Sequence, residues 1–196
     1  MTEHEASMSE EEVRSALEEA GAILHGHFRL TSGRHSGTYV QCARILEDPA
    51  LTTRLARTAA KRLEGRVFDL VAAPAVGGII FGFAVAQALG LRFIFSEREE
   101  GRMRFRRSFS VPPGARVLIV EDVVTTGGSV AEVADLVREA GGEVAAVVSL
   151  IDRGGPKKFS DELVPLLRLE VESWEPGECI HCAEGAPLDS PGSRRL

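Results

Sequence analysis

The first rhythm of apolar positions in this chain is helical. Ser9 and Glu12 form the pattern of a capping box. Val13, Ala16, Leu17 and Ala20 then recur three and four apart, which predicts an amphipathic helix closed by Gly21. Phe28 to Gly37 is rich in Gly, Ser, Thr and Arg and reads as a loop, with a short strand over Thr38 to Gln41. Asp48 and Pro49 suit the N-cap and first position of a helix. That helix carries Leu51, Leu55, Ala59 and Leu63 on one face, and Gly65 closes it. Phe68 to Ala73 is a compact apolar run, as expected of a strand buried on both faces.

Pro74-Ala75-Val76-Gly77-Gly78 then leads into an apolar helix ending at Gly90, and Arg92 to Phe95 predicts a third strand. The polar stretch 97–107 holds Arg98, Arg102, Arg104, Arg106 and Arg107 and reads as a mobile loop or a twisted hairpin. Pro112-Pro113-Gly114 predicts a turn. A strand over Arg116 to Glu121, a helix over Ser129 to Ala140 and a strand over Val144 to Ile151 follow. The alternation implies an α/β fold, with a mostly parallel twisted sheet flanked by helices. The expected organisation is a disordered start over 1–8, one domain over 9–171 and an irregular tail over 172–196, where Pro176, Pro187 and Pro191 lie.

Composition narrows this little. The chain has 196 residues, 44% hydrophobic and 27% charged, ordinary for one globular domain. A net charge of -6 argues against a general nucleic-acid binder. No run approaches the roughly 18 apolar residues that cross a bilayer, and the acidic, polar start is not a secretory signal. A soluble, cytoplasmic protein is expected. Three cysteines do not make a disulfide framework. Cys179-Ile180-His181-Cys182 is a single C-x-x-C, too few ligands for a structural metal within one chain unless a dimer shares it. A buried tail or inert thiols is the preferred reading. His25, His27 and His35 suggest no triad, and Trp174 reads as an anchor for the tail.

The chemistry is concentrated in Val117-Leu118-Ile119-Val120-Glu121-Asp122-Val123-Val124-Thr125-Thr126-Gly127-Gly128-Ser129. An apolar strand ends in two carboxylates, and a Thr/Gly loop then runs straight into a helix. Gly127 and Gly128 let backbone amides approach a phosphate closely. Thr125, Thr126 and Ser129 add hydroxyls, and the helix start adds free N–H groups and a positive dipole end. Glu121 and Asp122 suit a sugar diol or Mg²⁺ held directly or through water. An anion cradle beside acids for a diol fits a ribose 5-phosphate. The pattern is neither Gly-x-x-x-x-Gly-Lys-Ser/Thr nor Gly-x-Gly-x-x-Gly.

These thirteen residues resemble the phosphoribosyl-pyrophosphate motif of the type I phosphoribosyltransferases. The resemblance implies that family's fold, with a small hood built from the N- and C-terminal regions. It places 5-phosphoribosyl-1-pyrophosphate (PRPP) on Glu121, Asp122, Val123, Val124, Thr125, Thr126, Gly127, Gly128 and Ser129. Further segments resemble orotate phosphoribosyltransferases in particular. Phe28-Arg29-Leu30-Thr31-Ser32-Gly33-Arg34-His35-Ser36 is similar to their N-terminal loop, with Thr31 where Lys or Arg is usual and Tyr39-Val40 where many have an aromatic pair. Ser149-Leu150-Ile151-Asp152-Arg153 is similar to their orotate-binding strand end.

By that resemblance Arg153, Thr125 and Tyr39 contact orotate. Val76-Gly77 stands where their pyrophosphate loop carries Tyr-Lys. Residues 97–107 stand where they have a catalytic loop that reaches across a homodimer. Arg98 matches a PRPP-binding position there, and Arg102 replaces the catalytic lysine beside Glu121 and Asp122. The implied reaction joins orotate to PRPP, giving orotidine 5-monophosphate and pyrophosphate in pyrimidine biosynthesis, with Mg²⁺ held mainly by substrate. The alternatives are a purine-type phosphoribosyltransferase and a PRPP-sensing, nucleic-acid-binding regulator.

Overall fold

The computed structural model describes residues 7–30 and 32–191. The substitution at Thr31 and residues 1–6 of the expected disordered start lie outside them. Met8 corrects that expectation at its end: it is buried, and its N–H donates to Thr58 Oγ1 at 3.2 Å.

Helix α1 (Glu10–Glu19) opens with the predicted capping box, both of its hydrogen bonds present. Strands β1 (Ile23–Arg29) and β2 (His35–Val40) then pair antiparallel. This corrects the loop expected over Phe28 to Gly37. Its Gly and Ser residues suggest irregular chain, but Phe28 and Arg29 pair with Ser36 and His35, and this cross-strand ladder satisfies the backbone. A short α2 (Ala43–Leu46) precedes α3 (Pro49–Arg62), where Asp48 accepts from the N–H groups of Ala50 and Leu51 as its sequence predicts.

The remaining elements are β3 (Leu70–Pro74), α4 (Gly77–Leu89), β4 (Arg92–Glu99), β5 (Arg102–Phe105), β6 (Arg116–Val124), α5 (Gly128–Glu139), β7 (Glu143–Asp152), β8 (Leu163–Arg168) and α6 (Ile180–Ala183). The main sheet runs β5-β4-β3-β6-β7-β8, parallel except for the β4–β5 pair. Of the two readings for 97–107, the hairpin is the one observed.

Alternate residues of each central strand face opposite layers. Val71, Leu118 and Val120 join the core shared with α1, α3 and α4, through Leu17, Leu55 and Phe81. Leu70, Ala72, Val117 and Ile119 join the core under α5, through Val130, Val133 and Val137. Both faces are covered, which explains the unbroken apolar runs.

The strand order locates the site. From β3 the chain moves one way to β4, then returns to place β6 on β3's other side. The loops after β3 and β6 therefore leave the same end of adjacent strands in diverging directions, and ligands bind at such a switch point in open α/β sheets. Residues 172–191 fold back over the β1–β2 hairpin, with bridges from Trp174 to His35 and from Asp189 to Phe28. Among the described residues, no helix is long and apolar enough to cross a membrane.

Candidate active site

β6 extends through Val124, three residues past the predicted end, so Glu121 and Asp122 lie within it. Side chains alternate along a strand, so the neighbouring acids have different surroundings. Glu121 is 8% exposed, and Asp122 is half-buried. Burial, and next the charge of Asp122, pushes the Glu121 carboxyl well above the usual carboxylate range. Glu121 Oε1 accepts the N–H of Asp122 at 3.3 Å, and Asp122 Oδ1 accepts the N–H of Val123 at 2.7 Å.

The turn after β3 closes over these carboxylates. A Cβ on Gly77 would lie 2.5 Å from Asp122 Oδ2, and one on Gly78 would lie 3.2 Å from Glu121 Oε1. A side chain at Gly77 would have to displace the Asp122 carboxylate, so the turn between Pro74 and Gly78 approaches the acids with bare backbone. Val76, at its tip, is 81% exposed and follows a cis peptide bond.

On the other side of the acids, Thr125 and Thr126 lead to Gly127, the N-cap of α5, at φ +71°. A Cβ on Gly127 would meet Phe159 Cε1 at 2.3 Å. Conformation and space both exclude a side chain there. The loop is braced from behind by Lys157, a role that no local pattern in the sequence announces. Its ammonium donates to the carbonyls of Thr125 (2.9 Å) and Gly154 (2.6 Å) and pairs with Asp152 at 2.6 Å. Lys158 N–H donates to Thr126 O at 2.8 Å.

A cavity of about 590 Å³ adjoins this loop. Thr125 and Arg153 enter it from the sheet, Leu30, Ser32 and Tyr39 from the hairpin, and Ser173 from the tail. Arg153 N–H donates to Val124 O at 2.9 Å, which ties the ends of β6 and β7 together. Its Nε is buried with no hydrogen-bond partner among the described residues. Burial lowers the guanidinium pKa, but arginine remains charged. A larger cavity of about 720 Å³, beside Met8 and α3, contains none of these groups.

The structure thus brings Tyr39, Thr125 and Arg153 to one cavity, with Glu121, Asp122, Val76, Gly77 and residues 125–129 beside it. It does not bring Arg98 or Arg102 there. Arg98 is held by Glu132 of α5 at 2.7 Å and by Gly101 O at 2.6 Å. Arg102 is exposed on β5.

Residues 41–176 match the family described as the phosphoribosyl transferase domain. An orotate phosphoribosyltransferase of Heliobacterium modesticaldum is 51% identical over 190 residues, which is 95% of this chain and 100% of that protein. A solved orotate phosphoribosyltransferase from Aeropyrum pernix superposes with a TM-score of 0.70 at 28% identity, over 81% of this chain and 94% of that one. An adenine phosphoribosyltransferase from Thermoanaerobacter pseudethanolicus superposes at 0.61 with 27% identity, over 67% and 88%. The sheet is therefore common to enzymes of both base types, and the near full-length identity distinguishes between them: the chain belongs to the phosphoribosyltransferase family, among its orotate phosphoribosyltransferases.

Proposed function

We propose that the cavity holds orotate, that the cradle beside it holds the 5-phosphate of PRPP, and that the protein joins orotate N1 to ribose C1 with loss of pyrophosphate. The observation that carries this reading is Thr125, which belongs to both the cradle and the cavity with Arg153. It sets an anion-binding loop directly against a pocket for a planar acid.

Each group then has a task. The amides of Gly127, Gly128 and Ser129 and the hydroxyls of Thr125, Thr126 and Ser129 receive the 5-phosphate at the start of α5. Asp122, the more accessible acid, accepts from the ribose hydroxyls, and Glu121 lies beneath it. The carboxylate of Asp122 favours the cationic ring that develops as the C1–O bond breaks. The backbone at Val76 and Gly77 receives pyrophosphate. Tyr39 covers one side of the base, and the Arg153 guanidinium pairs with its carboxylate.

The two acids offer oxygen ligands, which fits Mg²⁺ held mainly by substrate oxygens with Asp122 or Glu121 assisting. When bound, Mg²⁺ neutralises the departing pyrophosphate. The reading is completed by a cytoplasmic homodimer in which the exposed hairpin 97–107 carries Arg98 and Arg102 to a neighbouring subunit and excludes water.

With PRPP and Mg²⁺, pyrophosphate should be released with orotate and not with adenine, guanine, hypoxanthine, xanthine or uracil. Release with a purine alone would overturn the assignment of the base pocket. Gly127→Ala should raise KM for PRPP at least about tenfold and destabilise the fold by about 1–3 kcal/mol, because it forces a strained φ against Phe159. Melting curves and PRPP titrations check both effects, and an unchanged KM would remove Gly127 from the phosphate site.

A further inference from the structure

The C-x-x-C of the tail, with too few ligands by itself, meets two histidines of the β1–β2 hairpin. His27 Nε2 lies 3.0 Å from His35 Nδ1, 3.5 Å from Cys179 Sγ and 3.6 Å from Cys182 Sγ. Cys182 Sγ lies 3.2 Å from His35 Nδ1. All four ligand atoms fall within 4.8 Å of one another, and His27, His35 and Cys179 are buried. We propose that His27, His35, Cys179 and Cys182 bind a structural zinc ion, which fastens the C-terminal tail to the N-terminal hairpin.

The distances suit tetrahedral zinc. With bonds of about 2.0–2.1 Å to nitrogen and about 2.3 Å to sulfur, ligand atoms sit about 3.3 Å apart for two nitrogens, about 3.6 Å for nitrogen and sulfur, and about 3.8 Å for two sulfurs. Hydrogen bonding alone accounts for the cluster poorly. His27 Nδ1 lies 2.9 Å from Ala186 O, so it carries the ring proton and donates it there. That leaves Nε2 one lone pair facing three polar atoms. A metal at their centre uses that lone pair and the other three ligands together. The bond to Ala186 O is also the usual second contact of a metal-bound histidine, fixing its tautomer and orientation.

The surroundings fit a structural role. All four positions are occupied by protein, which leaves no open site for catalysis. His181 packs at a tilt against His27 and edge-to-face against Trp174, with ring centroids 5.5 Å apart in each case. A Cβ on Gly37 would meet His181 Nε2 at 2.8 Å, so the hairpin is cut back where the tail lies on it. The tail has little apolar burial of its own: Cys179 is buried, but Ile180 and Leu188 are exposed. Short segments of this kind are commonly held by metal or disulfide. The ion would join residues 152 apart in sequence.

The test uses the full chain, expressed with zinc and freed of any metal-binding tag. Mass spectrometry of the metal content should find about one zinc per chain, falling below about a tenth in Cys179→Ser/Cys182→Ser. Cobalt(II) added to the chelator-stripped parent should give tetrahedral d–d bands and thiolate-to-cobalt charge transfer, and that spectrum decides the matter if the double variant does not fold. A parent without bound zinc that also gives no such cobalt spectrum would overturn the proposal. So would an unreduced chain lighter by the two thiol hydrogens, which would mean a disulfide.

Discussion

Asp122→Asn should lower kcat/KM for PRPP by about a hundredfold or more, with little change in melting temperature. Glu121→Gln should also lower turnover, but it should raise the melting temperature at neutral pH. The first effect follows from the proposed contact with the ribose hydroxyls. Each hydrogen bond to a charged partner contributes about 1.5–3 kcal/mol, and about 1.4 kcal/mol is a factor of ten. Asp122 is half-buried and can be neutralised at little cost to the fold.

Glu121 differs because its carboxyl is buried and its pKa is raised. The folded protein then holds that proton more tightly than the unfolded chain does, so this group's contribution to stability declines as pH rises. The decline begins at the ordinary carboxylate pKa, roughly 4.3, and ends above the raised folded value. Gln keeps the shape and an oxygen for the Asp122 N–H but cannot ionise. The variant's advantage in melting temperature should therefore grow upward from about pH 4.5 and vanish in acid. Melts across pH, paired with initial rates, separate the two effects. Unchanged turnover in both variants would remove the acids from the mechanism, and a Glu121→Gln protein less stable at pH 8 would mean that its charge is compensated. A loss of activity alongside a gain in stability is expected of a functional group kept at a cost to the fold.

The parts legible in the sequence were those whose determinants are local. The capping box at Ser9 and Glu12, the Asp48-Pro49 helix start and the apolar run of β6 each place their signal within a few residues, and each element forms there. The strand carrying the acids and the loop into α5 were readable for the same reason. Of the hairpin, only the second half of β2 was legible, as the strand over Thr38 to Gln41. His25, Gly26 and Gly37 interrupt any alternation, and its burial comes from a tail more than 130 residues away. β8 escaped notice as a short edge strand containing Pro165, at whose position proline is tolerated. The ion pair of Arg98 with Glu132 and the brace formed by Lys157 depend on which surfaces the fold brings together. The Cys-His cluster is the extreme case: two halves that carry little information separately become a complete ligand set through tertiary contact.

Arg153→Ala should raise KM for orotate by about a hundredfold while leaving KM for PRPP within about threefold, and Arg153→Lys should recover only part of the loss. A guanidinium donates two parallel N–H bonds to a carboxylate in a fixed plane, and a charge-assisted pair of this kind is worth about 3 kcal/mol when partly desolvated. Lysine restores the charge without the fork. Arg153 is suited to this contact because its backbone is already fixed by Val124 O and its Nε has no protein partner among the described residues. Its side chain lies largely out of water, which strengthens the attraction to an anion. The two KM values tell a specific contact from a general defect. Disruption of the loop after β6 would raise both together, since Arg153 and the phosphate cradle adjoin through Val124 and Thr125. A rise for orotate alone assigns the carboxylate to Arg153, whereas an unchanged orotate KM would require another cation to hold the base.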